Sequence, residues 1–245
     1  MTAPLFLVAP GTLTEGTDRL RLDGPEGHHA ADVQRLRVGE EVLVGDGEGR
    51  LARCTVAQVE RGALDLRVDS IDHEPEPALR LVLVQALAKG DRDLMAVEAA
   101  TELDVDEILP WQADRSIVRW RAERGEKARR KWEQQARAAG KQSRRSRLPL
   151  VGELVDRRGL LARASGADAV LVLHEDAGQP LTEVPLPPSG EVLLVVGPEG
   201  GIAPEELDAL RAAGATPVRL GRTVLRTSTA GAAALAVLHT RTGWR

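Results

Sequence analysis

"VVGPEGGIAPEEL", residues 195–207, runs from two valines through three glycines and two prolines into an acidic stretch. The valines close an apolar run that reads as a buried strand. Ala203-Pro204-Glu205-Glu206 supply a proline and acids for a first helical turn, where they suit the positive end of the helix dipole. The stretch is therefore predicted as a strand-to-helix turn of an α/β unit. In a parallel α/β sheet, ligands bind beyond the carboxyl ends of the strands. Glycines at such an end let the backbone come close to a ligand and adopt positive φ. The lysine of a phosphate-binding G-x-x-x-x-G-K-[ST] loop is missing, and the G-P-E-G-G spacing is not the G-x-G-x-x-G of a dinucleotide site. Two readings stay open: a turn whose main chain recognises a ligand, or a tight turn with none.

Outward from this turn, the chain from residue 79 alternates strands and helices. "LRLVLVQAL", "DEILPW", "ADAVLVLHE", "EVLLVVG" and "ATPVRL" read as strands. "RDLMAVEAATEL", "GEKARRKWEQQARAAGKQ", "ELVDRRGLLARAS", "APEELDALRAAG" and "TSTAGAAALAVLHTR" read as helices. Continuous apolar strands alternating with helices specify an α/β domain with a mostly parallel sheet. Residues 1–72 differ, with short alternating stretches broken by glycine turns and one short helix near "GHHAADVQRLR". That is the rhythm of a small β-barrel. "DHEPEPAL" reads as a linker at residues 72–78, so the predicted domains are 1–72 and 79–245.

Two more strand ends carry ligand-capable loops. "RLGRTVLRTSTAGAAALAVL" leaves a strand at Leu220 and offers Thr227, Ser228 and Thr229 at the mouth of an alanine-rich helix, and "LVLHE" places His174 and Glu175 at a third end.

A 42% hydrophobic content over 245 residues is enough for sizeable cores. No long apolar run suggests a membrane span, and the N-terminus lacks the pattern of a signal peptide, so a cytoplasmic location is expected. Cys54, the single cysteine, sits in a strand-like stretch and reads as an inert thiol. The histidines His28, His29, His73, His174 and His239 show no metal-ligand spacing with it, and no metal is expected. Trp111, Trp120, Trp132 and Trp244 read as core or interface anchors rather than base stackers.

The net charge of −4 hides a strong polarity. Thirteen Lys or Arg against three acids between Arg115 and Arg147 give that segment +10, leaving −14 for the remainder. One basic face for a polyanion is consistent with this distribution.

Taken together, "VVGPEGGIAPEEL", "RLGRTVLRTSTA" and "KQSRRSRLP" closely resemble the ribosomal RNA small subunit methyltransferase E family, of the knotted SPOUT class. "EGHHAADVQRLRVGEEVLVGDGEG" is similar to that family's N-terminal PUA-like barrel motif. "KGDRDLMAVEAATELDVDEILPWQADRS" is similar to its opening strand and helix, ending in the arginine-serine pair Arg115-Ser116. Two departures stand out: Ser228, where many members carry an acid, and Asp104, where many carry glycine. The resemblance implies a deep C-terminal trefoil knot and a homodimer. It also implies methylation of N3 of a uridine in 16S rRNA of the small ribosomal subunit, with S-adenosylmethionine as donor. The cofactor would be held by Leu173, His174, Gly197, Glu199, Gly200, Gly201, Ile202, Leu220, Leu225, Thr227 and Ala230. Arg226 and Arg145 (or Arg144) are candidates to stabilise the uridinate and Glu175 to take its proton, beside blander readings of Arg226 as an ion-pair partner and Glu175 as an exposed acid. Expected RNA contacts are Arg35, Arg37, Arg115, Arg119, Lys141, Arg144, Arg145 and Arg147. Competing functions are a ribosome assembly module without turnover and a knotted methyltransferase acting on tRNA or a ribose 2′-hydroxyl.

Overall fold

The structure, a computed structural model, describes residues 3–243. The chain divides into two compact units, one holding the chain up to Glu76 together with Gly140–Leu148, the other Pro77–Ala139 and the chain from Pro149 onward.

In the first unit, five strands form one curled sheet in the order β1-β3-β4-β5-β2: β1 (Leu5–Leu7), β2 (Arg19–Leu22), β3 (Glu41–Gly45), β4 (Arg50–Glu60) and β5 (Ala63–His73). β1 and β3 are parallel and the other pairs antiparallel. Register shifts at Arg53/Cys54 and Val56/Gln58 bend the long β4–β5 ribbon, as bulges do. A short helix α1 (Gly24–His28) follows β2 and continues as a π-turn over His29–Val33. Inward-facing residues such as Phe6, Leu22, Val44, Leu64 and Cys54 make the core. Burial pushes the Cys54 thiol up to about 12, with Asp69 adding to the shift, so the thiol is inert.

Gly140–Leu148 is clasped by this sheet, a union that residue spacing does not announce. Lys141 Nζ meets Glu26 at 2.6 Å and lies 5.5 Å from the Phe6 ring centroid. Leu148 N donates to Gly47 O at 2.9 Å, and Arg147 donates twice to Glu74 O. Gly49 holds φ +107°, and a Cβ there would sit 2.7 Å from Arg147 Nη2. The acidic stretch read as a linker is accordingly shorter, because β5 reaches His73 and Glu74 is engaged.

The second unit is a seven-stranded sheet, parallel throughout, in the order β10-β12-β9-β11-β6-β7-β8. Its strands are β6 (Leu79–Ala86), β7 (Glu107–Trp111), β8 (Leu150–Val151), β9 (Ala169–Leu173), β10 (Gln179–Pro180), β11 (Gly190–Val196) and β12 (Thr216–Arg219). The helices between and after them are α2 (Arg92–Glu102), α3 (Ala122–Ser143), α4 (Arg157–Ala164), α5 (Pro204–Ala212) and α6 (Thr227–Thr242). Residues Val192–Val196 of β11 are all buried, as a central strand covered on both faces must be. One core face joins α2, α6 and the inner side of α3, the other α4 and α5. Trp111 and Trp132 are fully buried, and Trp120 packs edge-on against Trp132 at 5.1 Å. Trp244 lies outside the described residues.

Two local details differ from, or explain, the sequence pattern. The helix read from "ELVDRRGLLARAS" begins only at Arg157, because Val155 pairs with β7 and Asp156 caps the helix by accepting from Gly159 N at 2.8 Å. Asp104 adopts φ +59°, a left-handed conformation that glycine would take at no steric cost.

Candidate functional site

β12, β9 and β11 are neighbours in the sheet and run in parallel, so their carboxyl ends lie side by side. The loops leaving them enclose a cleft of about 950 Å³. Leu173, His174 and Glu175 enter it from β9, and Gly197, Glu199, Gly200, Gly201 and Ile202 from β11. Leu220, Leu225, Arg226, Thr227 and Ala230 enter from the connection between β12 and α6. Of the strand-end residues singled out from the sequence these thirteen line the cleft, whereas Ser228 and Thr229 do not.

The glycine turn is held from several sides. Gly201 N donates to Pro198 O at 2.9 Å while Gly201 adopts φ +73°. A Cβ on Gly197 would stand 2.8 Å from Ile202 Cγ1, and one on Gly200 would stand 3.3 Å from Arg115 Cβ. Arg115 Nη1 donates to Gly200 O at 3.1 Å. Glu199 accepts from Lys89 N at 3.0 Å and from Arg92 Nη1 at 2.9 Å. Burial alone would raise the Glu199 carboxyl, but its own backbone N–H together with the Lys89 and Arg92 donors outweighs it and holds the group below its ordinary value. At the exit, Glu206 is fully buried and accepts from Asp114 N at 2.9 Å and Ala203 N at 3.2 Å. Its carboxyl is raised by burial, with those two backbone donors opposing the shift.

Beneath the turn, Gln85 of β6 is fully buried. Its Nε2 donates to Thr227 Oγ1 at 2.9 Å, and Thr227 Oγ1 donates to Gly197 O at 2.9 Å. An amide nitrogen can only donate, so Thr227 must accept from Gln85 and give its single hydrogen to Gly197. Gln85, Arg92 and Glu206 were not singled out from the sequence. The available signal for Gln85 was its place as the lone polar residue inside the apolar run "LVLVQAL".

Arg226 is exposed at the N-cap of α6 and makes no ion pair among the described residues. Glu175 is exposed at the cleft. Val224, 73% exposed, and Leu225 leave an apolar rim on the β12–α6 loop.

Of the expected RNA contacts, Arg119 Nη2 donates to Asp114 O at 3.0 Å, while Arg115, Lys141 and Arg147 are engaged as described above. Arg35, Arg37 and Arg144 are exposed, and Arg144, like Arg145, belongs to the first unit. Among the described residues, no group of three His, Cys, Asp or Glu side chains could hold a metal, and no helix is long and apolar enough to cross a membrane.

A family model described as an RNA methyltransferase domain matches residues 74–239, and one described as an RNA methyltransferase PUA domain matches residues 22–69. The chain is 48% identical over 240 residues to ribosomal RNA small subunit methyltransferase E of Mycobacterium bovis, covering 96% of this chain and 90% of that protein. It is 28% identical to the protein of the same name from Bacillus subtilis, over 90% of each. Among solved structures, ribosomal RNA small subunit methyltransferase E from Neisseria gonorrhoeae bound to S-adenosyl methionine superposes with a TM-score of 0.86 at 28% identity, over 98% of each chain. A Legionella pneumophila methyltransferase in complex with the same cofactor gives the same three values.

Proposed function

We infer the reaction from one premise: the chain belongs to the ribosomal RNA small subunit methyltransferase E family. It is an S-adenosylmethionine-dependent rRNA methyltransferase. The finer assignment, proposed here, is methylation at N3 of a uridine in 16S rRNA.

The observation that carries the placement of the cofactor is the cleft at three neighbouring parallel strand ends. The glycine turn packs tightly on its own neighbours, a Cβ on Gly197 meeting Ile202 and one on Gly200 crowding Arg115, so the backbone of this turn lines the cleft without side chains of its own at these two positions. Such a cradle fits a nucleoside with a charged amino-acid tail, and Ile202, Leu220 and Leu225 supply apolar walls for an adenine ring. Bound S-adenosylmethionine supplies an electrophilic methyl group. The chain's own residues position it through the glycine turn and the Thr227 loop, and exclude water with Leu225 and Ile202. Uridine N3 carries a proton at neutral pH. Glu175 accepts that proton, and the Arg226 guanidinium stabilises the anion left on the base. Arg145 is retained as the second candidate for that charge.

The same reading includes a trefoil knot, a homodimer and a cytoplasmic location. β12 lying outside β9 rather than beside β11, with α6 returning to pack on β6 and β11, supports the first. The exposed apolar Ile117 and Val224 support the second. The decisive experiment is mass spectrometry of 16S rRNA from cells with and without the gene. Loss of a single 3-methyluridine is expected. A lost ribose methyl, a lost tRNA modification, or no lost methyl at all would each replace this reading.

A further inference from the structure

The structure sorts the basic residues of 115–147 into engaged and free cations. Arg115 and Arg119 are spent on carbonyls, and Lys141 and Arg147 on Glu26 and Glu74. Arg129, whose side chain is only 22% exposed, takes up the helix's own acids, pairing with Glu133 at 2.7 Å and Glu126 at 3.8 Å, and reaches Glu153 at 3.6 Å.

This consumption of acids has an electrostatic result on α3. A helix face built only for solvation spaces Glu and Lys so that they neutralise one another. Here Glu126 and Glu133 neutralise a cation turned toward the body of the unit. Arg124, Lys127 and Lys131, at i, i+3 and i+7, are exposed on one face and make no ion pair among the described residues. Arg130 flanks them, its Nε on Glu126 O at 3.4 Å. Glu123 is the single acid on that face and pairs with none of them. The opposite face, with Trp132, Ala136 and Ala139, is buried, which fixes the rotational setting of the helix.

We propose that Arg124, Lys127 and Lys131 form a phosphate-tracking stripe that docks the backbone of the substrate RNA. This rests on the rRNA reading above and adds an interaction surface to it. Unpaired cations about 10 Å apart along a helix, from Arg124 to Lys131, bind a polyanion by releasing its condensed counterions and read no sequence.

The test uses the full chain carrying Arg124→Gln, Lys127→Gln and Lys131→Gln together, with each single variant beside it. Binding to a 16S rRNA transcript and to purified 30S subunits is measured across potassium chloride concentrations. The triple variant is expected to keep S-adenosylmethionine affinity and to lower the slope of log K against log salt by about 2 to 3, each single variant by about 1. An unchanged slope overturns the stripe. Loss of binding to 30S subunits with unchanged binding to the transcript also overturns it, pointing to a ribosomal protein as the partner. Failure of the parent chain to methylate rRNA would sink the proposed reaction but leave the slope comparison readable.

Discussion

Thr227 Oγ1 donates to Gly197 O at 2.9 Å, and so the first turn of α6 is tied to the glycine turn thirty residues earlier in the chain. Gln85 completes the tie from β6 at 2.9 Å, in a place without exposure to water. Three elements distant in sequence thus set the cleft through one hydroxyl. In a dry interior such a chain is directional, because neither Gln85 Nε2 nor the Gly197 carbonyl can exchange roles.

Thr227→Val keeps shape and removes the hydroxyl. The part-buried Gly197 carbonyl then loses its hydroxyl donor, while Gln85 Nε2 keeps only the Ala86 carbonyl at 3.1 Å, at about 1–3 kcal/mol for the polar group left unsatisfied. Isothermal titration should show S-adenosylmethionine affinity reduced about tenfold or more, with the circular dichroism spectrum retained. Thr227→Ser restores both hydrogen bonds and should recover most of the affinity. Equal affinity in the valine variant would show that the tie does not shape the cleft.

Gly201 is held at φ +73° in the turn that Pro198 O closes. A β-branched residue there costs about 1–3 kcal/mol of backbone strain. Gly201→Val is expected to open the turn and abolish measurable cofactor binding while the sheet, which the turn does not help to pair, stays folded. Unchanged affinity by titration would mean that the turn does not contact the cofactor.

Residue pattern made the α/β alternation, the barrel-like start and the three strand-end loops legible, because continuous apolar strands and glycine-rich ends leave a direct trace in sequence. Contacts between distant positions leave none. Nothing near Glu74 or Gly49 announces that Gly140–Leu148 will lie against them, and nothing near Arg92 announces Glu199. Glu206 reads as an ordinary first-turn acid until its burial against Asp114 N is seen. The excess of Arg and Lys between 115 and 147 was visible, but which of those cations are free depends on partners such as Glu153 and Glu26, far along the chain.

Glu199 offers a pH test of the turn. Its folded value lies below the ordinary 4.5, so the stability it contributes is present above 4.5 and is lost as pH falls through the folded value. Arg92→Met removes one of the donors that lower it. The stability gap between the parent and this variant, measured by urea unfolding over a pH series, should be full near neutrality and shrink on acidification. The pair is partly exposed, so the gap itself should be about 1 kcal/mol or less. A gap independent of pH would show that the guanidinium does not act through the carboxylate.

Arg226 carries the test of the chemistry. Its guanidinium is exposed at the cleft and free of ion pairs among the described residues, so its charge is available to an anionic base. A neighbouring cation favours the deprotonated form of uridine N3 and therefore lowers the pH at which the reactive anion is present. Arg226→Ala should leave S-adenosylmethionine affinity near the parent value and reduce the single-turnover methylation rate about 100-fold, the usual scale for losing one preorganised charge partner. The sign of the pH effect follows: without the cation a larger share of N3 stays protonated at neutrality, so the rate profile of the variant shifts to higher pH and the deficit narrows there. A helix-capping role for Arg226 would lower the rate equally at every pH. An undiminished rate would leave the charge role to Arg145.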